Sequence, residues 1–214
     1  MALIFTFFIA TIYFFIFLIS DINRDENVIK VFQSFTCFTH GTLVSISSYI
    51  DIIMMIIQGS NFEDKSFLNN WHYFSLFYFI YDTYLCIYLK QYMYIGHHIC
   101  VIIAIIYTTL SDKNYNLLSV ILLSGEITAP LFNGMKLLKI FGFKTQLLFI
   151  IFTSLFCLIR FVLIPILIIF IAFNTQSYDI YIFVPIGIIL IYGSFIWAKG
   201  QYRYIKTKIS HKLD

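Results

Sequence analysis

Apolar blocks separated by short polar segments recur along almost the entire chain. The blocks lie at about residues 2–20, 31–57, 72–89, 95–110, 115–135, 145–173 and 180–198. A helix needs about 20 apolar residues to cross the hydrocarbon core of a bilayer, and each block is close to or above that length. The pattern therefore predicts an all-α, polytopic membrane protein with about seven transmembrane helices and no soluble domain between them.

Composition agrees with a protein whose solvent is lipid. Hydrophobic residues make up 60% of the 214 residues and charged residues only 12%, and the mean hydropathy is +0.87. Soluble domains carry about 25% charged residues, so an ordinary soluble protein is excluded. The first block has neither a basic leader nor a small-residue cleavage site. We therefore expect it to be retained as a span and not removed as a signal peptide.

The four cysteines form no recognisable framework. Cys37, Cys86, Cys100 and Cys157 contain no CxxC pair, and each lies within an apolar block. Free cysteine is commonly buried as a small apolar residue, so we expect packing roles, without a disulfide framework or a zinc site.

The basic residues are distributed unequally between the two sides of the predicted bundle. Eleven of the 14 Lys and Arg residues fall on one side, Lys65 and Lys113 fall on the other, and Arg160 lies inside a span. Because short cytoplasmic loops carry an excess of Lys and Arg, we expect a cytosolic C-terminus and a lumenal N-terminus. The net charge is +3, and the basic residues on this side would face anionic headgroups. We therefore expect membrane lipids as partners and no nucleic acid.

Ionisable side chains inside the blocks are the candidates for function, because such groups are unfavourable in lipid and usually face the bundle interior. They are His40, Asp51, Asp82, His97, His98, Glu126 and Arg160. Helical spacing places polar residues on one face in each of four blocks: Thr36, His40, Ser47 and Asp51; Ser75, Tyr78 and Asp82; Ser119, Glu126, Pro130 and Asn133; Thr153, Cys157 and Arg160. These stripes predict a polar cavity between the helices, open toward the cytosolic side.

The adjacent pair His97 and His98 is the strongest chemical signal. Two neighbours on an α-helix point about 100° apart, so at least one should face the interior. Neutral imidazole is a common acid, base or nucleophile. A metal held by His97, His98 and Glu126 is an alternative that helix geometry disfavours, because adjacent histidines seldom bind one ion from a regular helix.

Three other residues keep a structural interpretation beside the functional one. Arg160 either forms a buried packing pair with Asp82 or Glu126 or serves a site. Pro130 either kinks its helix or takes part in the chemistry. Asp51 lies near the lumenal end of its block, where we expect it to reach the headgroups.

Several short pieces, taken in order along the chain, resemble the TLC domain family. They are the run at 34–41 ending in His40-Gly41, Tyr81-Asp82, Gly96-His97-His98, the run at 126–133 with Glu126, Pro130 and Asn133, and Arg160-Phe161 followed by Pro165. The resemblance covers about residues 30–205 and implies six helices around a lipid-sized cavity, preceded by one helix. The implied organisation is an N-terminal helix and first loop at 1–27, a six-helix membrane domain at 28–205 and a basic cytosolic tail at 206–214.

The family includes ceramide synthases, which join an acyl group from acyl-CoA to a sphingoid amine with a histidine pair and assisting acids. By position, the resemblance implies catalytic roles for His97, His98, Asp82 and Glu126 and substrate contacts for His40, Tyr78, Asn133 and Arg160. No bound cofactor is expected, and acyl-CoA would be a co-substrate. The chain departs from the synthases where residues 99–110 are mostly apolar and Thr128 replaces a second acid. It is therefore closer to the TLC-domain-containing subfamilies linked to lipid homeostasis.

Functions from three classes follow from these residues. In an acyltransferase, a histidine of the pair would attack the thioester or deprotonate the amine, and Asp82 or Glu126 would hold its tautomer. In a non-enzymatic lipid-binding or lipid-regulating protein, the polar stripes would line a headgroup pocket. A small lipid transporter would need a pathway open to both sides in turn, which the apolar lumenal halves of several spans disfavour. The resemblance implies the endoplasmic reticulum as location.

Overall fold

The structure is a computed structural model that describes residues 26–58, 65–111, 115–166, 169 and 180–213. Seven α-helices account for most of them: α1 (Glu26–Gln58), α2 (Lys65–Tyr88), α3 (Tyr92–Ser111), α4 (Tyr115–Glu126), α5 (Ala129–Ile140), α6 (Gln146–Leu158) and α7 (Ile180–Leu213). A π-helical turn, Ile159–Leu163, continues α6. The predicted all-α class is confirmed for the described part of the chain.

Among the described residues, three helical segments are long and apolar enough to cross a membrane. They are Tyr92–Ser111, Gln146–Ile166 and Tyr181–Tyr202, with mean hydropathies of 1.7, 2.7 and 2.0. This agrees with an integral membrane protein, while the count of seven spans stays a prediction. The first predicted block, 2–20, lies outside the described residues, as does most of the predicted sixth block beyond Ile166.

The predicted span at 115–135 is wrong as a single helix, because the structure divides it into α4 and α5. Residues Ile127 and Thr128 form a turn between them. Pro130 lies in the first turn of α5, where its missing N–H is tolerated, whereas inside a helix its ring would clash with the preceding turn. The division leaves Glu126 as the last residue of α4 and places it beside the candidate site. At the other end of the chain, residues 206–213 continue α7.

Helix α1 lies antiparallel to α2 on one side and to α4 and α5 on the other. Gln33 contacts Asp82 and His40 contacts Ser75. Residue numbers thus increase along α1 in the direction in which they decrease along α2. Its polar stripe is buried against these partners, which satisfy groups that lipid could not. Asp51 belongs to the stripe and is 5% exposed, and it accepts a hydrogen bond of 3.1 Å from Ser119. The expectation that Asp51 reaches the headgroups is therefore wrong.

Gly41 allows α1 to approach the junction of α4 and α5 closely. A Cβ atom at this position would lie 2.9 Å from Cβ of Ala129, 3.0 Å from Cδ of Pro130 and 3.3 Å from the carbonyl oxygen of Glu126. Real side chains do not pack at the shortest of these distances, so a larger residue would push the helices apart. The close approach sets the neighbouring His40 against the end of α4.

Candidate functional site

A cavity of about 360 Å³ lies between the helices, and all seven contribute to its wall. Seven of the eight site residues predicted from the sequence line it: Tyr78, Asp82, His97, His98, Glu126, Asn133 and Arg160. His40 does not line the cavity, because it lies behind the wall with 0% exposure. Members of three of the four predicted polar stripes thus meet at one cavity, whereas no member of the α1 stripe lines it.

His98 is paired with Asp82 of the neighbouring helix α2. Its Nε2 lies 3.3 Å from Oδ2 of Asp82, and both side chains are buried. Gln33 donates a hydrogen bond of 2.9 Å to Oδ1, and the hydroxyl of Tyr78 lies 3.3 Å from Oδ2. These donors surround a carboxylate that would otherwise be unsatisfied in an apolar interior. Tyr78 thereby supports Asp82 while also lining the cavity.

His97 is paired with a different carboxylate, that of Glu126. Its Nε2 lies 3.7 Å from Oε1 of Glu126, and its side chain is 22% exposed to the cavity. The other carboxylate oxygen, Oε2, lies 3.5 Å from Nδ1 of His40. The adjacent histidines therefore belong to two different carboxylate–imidazole pairs. Glu126 also contacts a third imidazole, that of His40, which lies behind the cavity wall.

Phe79 packs against all three imidazole rings. Its ring centroid lies 5.3 Å from that of His40, 6.0 Å from that of His97 and 5.5 Å from that of His98. The centroids of His97 and His98 are 5.6 Å apart. Phe79 is itself buried, so the packed ring restricts the rotamers of its polar neighbours.

Arg160 reaches the cavity from the π-helical turn after α6. Its Nη2 donates a hydrogen bond of 2.9 Å to the carbonyl oxygen of Gly125. In a continuous helix the carbonyl of Glu126 would accept from residue 130, but residue 130 is proline and has no N–H. Arg160 bonds the carbonyl of the preceding residue, Gly125, and so caps the end of α4. It forms no close ion pair with Asp82 or Glu126 in the described part of the chain. Nε of Arg160 is buried and has no hydrogen-bond partner among the described residues.

The apolar wall of the cavity is an aromatic cluster centred on Trp197 of α7. The ring centroid of Trp197 lies 5.6 Å from that of Phe132, 5.1 Å from that of Phe152 and 4.4 Å from that of Phe156. Lys136 lies beside this aromatic cluster, with its ammonium 4.2 Å from the centroid of Phe132. Such a wall suits an apolar chain, and the lysine adds a positive charge to the same cavity.

One group of residues has the spacing of a metal site. Ligand atoms of Asp82, Cys86 and His98 lie within 4.8 Å of one another, and all three residues are buried. This set differs from the His97, His98 and Glu126 set considered from the sequence. Asp82 already accepts a hydrogen bond from Gln33, and Cys86 lies 3.9 Å from the amide oxygen of Gln91, so hydrogen bonding accounts for the cluster.

Several residues of the site were not predicted from the sequence. Gln33 and Cys37 line the cavity, and both lie within two helical turns of His40 on α1, so an extended search of that helical face would have found them. Phe79 and Cys86 gave no such signal, because an apolar residue in an apolar block resembles any other.

Comparison with known proteins identifies one family. The model of the TLC domain matches residues 23–199, a segment that contains every residue described above as lining the cavity. This confirms the resemblance based on the short motifs. Neither the curated proteins nor the solved structures provide a significant match to the chain.

Proposed function

Because the chain belongs to the TLC domain family, which links it to membrane lipid metabolism and homeostasis, we propose that it transfers an acyl group from acyl-CoA to a lipid amine. The observation that carries this proposal is the pairing of two adjacent histidines with two separate carboxylates on one cavity of about 360 Å³. His97 faces Glu126 and His98 faces Asp82. A histidine oriented by a carboxylate is the arrangement that acyl-transfer sites use for proton transfer.

His97 is the proposed general base, since it is the more exposed of the two imidazoles. With its Nε2–H directed at Glu126, Nδ1 is left unprotonated and able to accept a proton. The lipid amine attacks the thioester carbonyl carbon, so that a C–N bond forms and the C–S bond breaks. His97 takes the proton from the amine nitrogen and delivers it to the departing thiolate. The products are an amide and the free thiol of CoA.

Arg160 and His98 have complementary roles in the same step. Arg160 lines the cavity, and its guanidinium is the proposed donor to the oxygen that becomes negative when the thioester carbonyl is attacked. His98, oriented by Asp82, lines the same cavity. We assign His98 to hold the attacking amine beside His97.

The remaining cavity wall suits the two ends of an acyl-CoA. The aromatic cluster around Trp197 is proposed to hold the acyl chain by apolar burial. Lys136 lines the cavity and Lys90, Lys139 and Lys144 are basic residues of the predicted cytosolic side, where they would contact the phosphates of CoA. The acceptor is proposed to be a sphingoid-type amine, with the enzyme in the endoplasmic reticulum.

A turnover assay tests the proposal directly. Purified protein in lipid nanodiscs is incubated with a long-chain acyl-CoA and a sphingoid base, and both the CoA thiol and the amide are quantified. We expect the two products in equal amounts, dependent on the amine. Folded protein that retains lipid but releases no thiol with any amine or lysolipid acceptor would contradict acyl transfer and favour a non-enzymatic lipid-binding role, and flux across reconstituted vesicles would favour a transporter.

The proposed membrane arrangement has seven spans, a lumenal N-terminus and a cytosolic C-terminus, with a six-span domain at 28–205, in which α4 and α5 together form one span, and the tail at 206–214. It follows from the excess of Lys and Arg on one side of the bundle. Glycosylation acceptor sites inserted beside Lys65 and beside Lys144 distinguish the two sides. We expect glycosylation only beside Lys65; modification beside Lys144 alone would reverse the orientation.

A further inference from the structure

His40 is a buried histidine that the mechanism above does not use. It has 0% exposure and is absent from the wall of the cavity. Its ring stacks on Tyr78, with centroids 3.6 Å apart and planes inclined by 11°, and Phe74 and Phe79 pack beside it. A ring enclosed on several sides keeps one orientation, so its two nitrogen atoms face fixed partners.

Those partners assign the positions of the protons. Nε2 of His40 lies 3.2 Å from the hydroxyl oxygen of Ser75, and Nδ1 lies 3.5 Å from Oε2 of Glu126. A carboxylate only accepts hydrogen bonds, whereas a serine hydroxyl can donate. Ser75 is therefore the donor to Nε2, and a proton on Nδ1 faces Glu126 as an electrostatic contact at 3.5 Å, because Nδ1 has no hydrogen-bond partner among the described residues.

Glu126 needs such a partner because of its place in the fold. It is the last residue of α4, followed by the turn at Ile127 and Thr128, and its side chain is buried. Gly41 brings the backbone of α1 to this junction, and His40 precedes it in the chain. The carboxylate of Glu126 consequently lies between two imidazoles, with Oε2 toward His40 and Oε1 toward His97.

We propose that His40 is a positioning residue, which, linked to Ser75, holds the carboxylate of Glu126 so that its other oxygen fixes the tautomer of His97. The inference rests on the proposed function for its kinetic consequence, but the tautomer of His97 exists whether or not the protein transfers acyl groups. His40 acts only through Glu126 and does not touch the substrate. Its loss should therefore lower kcat and leave KM unchanged.

Two substitutions at this position separate positioning from packing. His40→Asn keeps an N–H donor close to the place of Nδ1, whereas His40→Leu keeps a similar apolar volume without any donor. We expect His40→Leu to lower kcat by about 10- to 100-fold, the usual loss when the supporting partner of a reacting group is removed. His40→Asn should restore most of the turnover, and KM for acyl-CoA should stay within about twofold in both, as expected for a group that acts on the transition state alone.

A second measurement does not depend on turnover. The imidazole ¹⁵N resonances of the protein labelled at its five histidines report which nitrogen of His97 carries the proton. We expect the Nε2–H tautomer in the wild type and in His40→Asn, and a mixture of tautomers in His40→Leu. If His40→Leu does not fold, Ser75→Ala provides the test, because loss of its donated hydrogen bond should shift the same resonances of His97 in the same direction.

The outcomes separate this inference from the proposed function. An inactive wild type with the expected tautomers would refute acyl transfer and retain the role of His40. Wild-type kcat and an unchanged His97 tautomer in folded His40→Leu would overturn the role of His40, even in an active enzyme. Equal losses in His40→Leu and His40→Asn, with no change of tautomer, would reduce His40 to a packing residue and likewise overturn it.

Discussion

Replacement of both His97 and His98 by alanine is expected to lower acyl-CoA turnover by about 10³- to 10⁴-fold, the loss typical of removing an oriented base from an acyl-transfer site. The double variant deletes the only imidazoles that line the cavity among the described residues. It leaves Asp82 with its donors Gln33 and Tyr78, so we expect the fold to persist. Release of CoA thiol in the presence of a sphingoid base, at matched amounts of folded protein, measures the effect.

The single variants distinguish the proposed role of His97 from that of His98. His97→Ala should lose nearly as much turnover as the double variant, because residues that act as a unit have non-additive effects. His98→Ala should retain more kcat and raise KM for the amine. His211→Ala provides the matched control, since it removes a histidine that lies outside the family match at 23–199. Full turnover in both single variants would exclude the histidine pair as the reacting group.

The helical class and the polar faces could be predicted from the sequence because both depend on local periodicity. Steps of three, four and seven residues place Ser75, Tyr78 and Asp82, or His40 and Ser47, on one face regardless of what packs there. The same steps do not specify the neighbouring helix. The sequence therefore left open whether Asp82 or Glu126 supports the histidines, and the structure assigns one carboxylate to each.

The division of the fifth block depends on contacts between distant residues and could not be read from the block itself. Pro130 was visible, but a proline in a membrane helix kinks or breaks it according to whether neighbours satisfy the freed carbonyls. Here Arg160 donates to the carbonyl of Gly125, next to the Glu126 carbonyl that Pro130 leaves free, and the small Gly41 lets α1 approach the junction. The position of His40 behind the cavity wall also depends on contacts between distant residues. Periodicity predicts the helical face on which His40 lies, but not its distance from the cavity.

Arg160 connects this break to the proposed chemistry, and its removal is expected to affect both stability and turnover. In Arg160→Leu the carbonyl of Gly125 loses its donor, which should lower the free energy of unfolding by about 1–3 kcal/mol, the range for an unsatisfied buried polar group. Loss of the donor proposed for the developing oxyanion should lower kcat by about 10²- to 10³-fold. Thermal unfolding in detergent and thiol release per folded protein measure the two effects separately.

Arg160→Lys distinguishes the structural contribution of Arg160 from its catalytic one. A lysine ammonium can donate to Gly125 but lacks the planar fork that lets a guanidinium bond in two directions at once. We therefore expect Arg160→Lys to recover most of the unfolding free energy and little of the kcat. Lys199→Leu, which removes an exposed cation from α7, is the control for charge alone and should change neither quantity appreciably. Wild-type kcat in folded Arg160→Leu would show that the guanidinium serves only to cap α4, because the donor removed there is the one assigned to the reacting carbonyl.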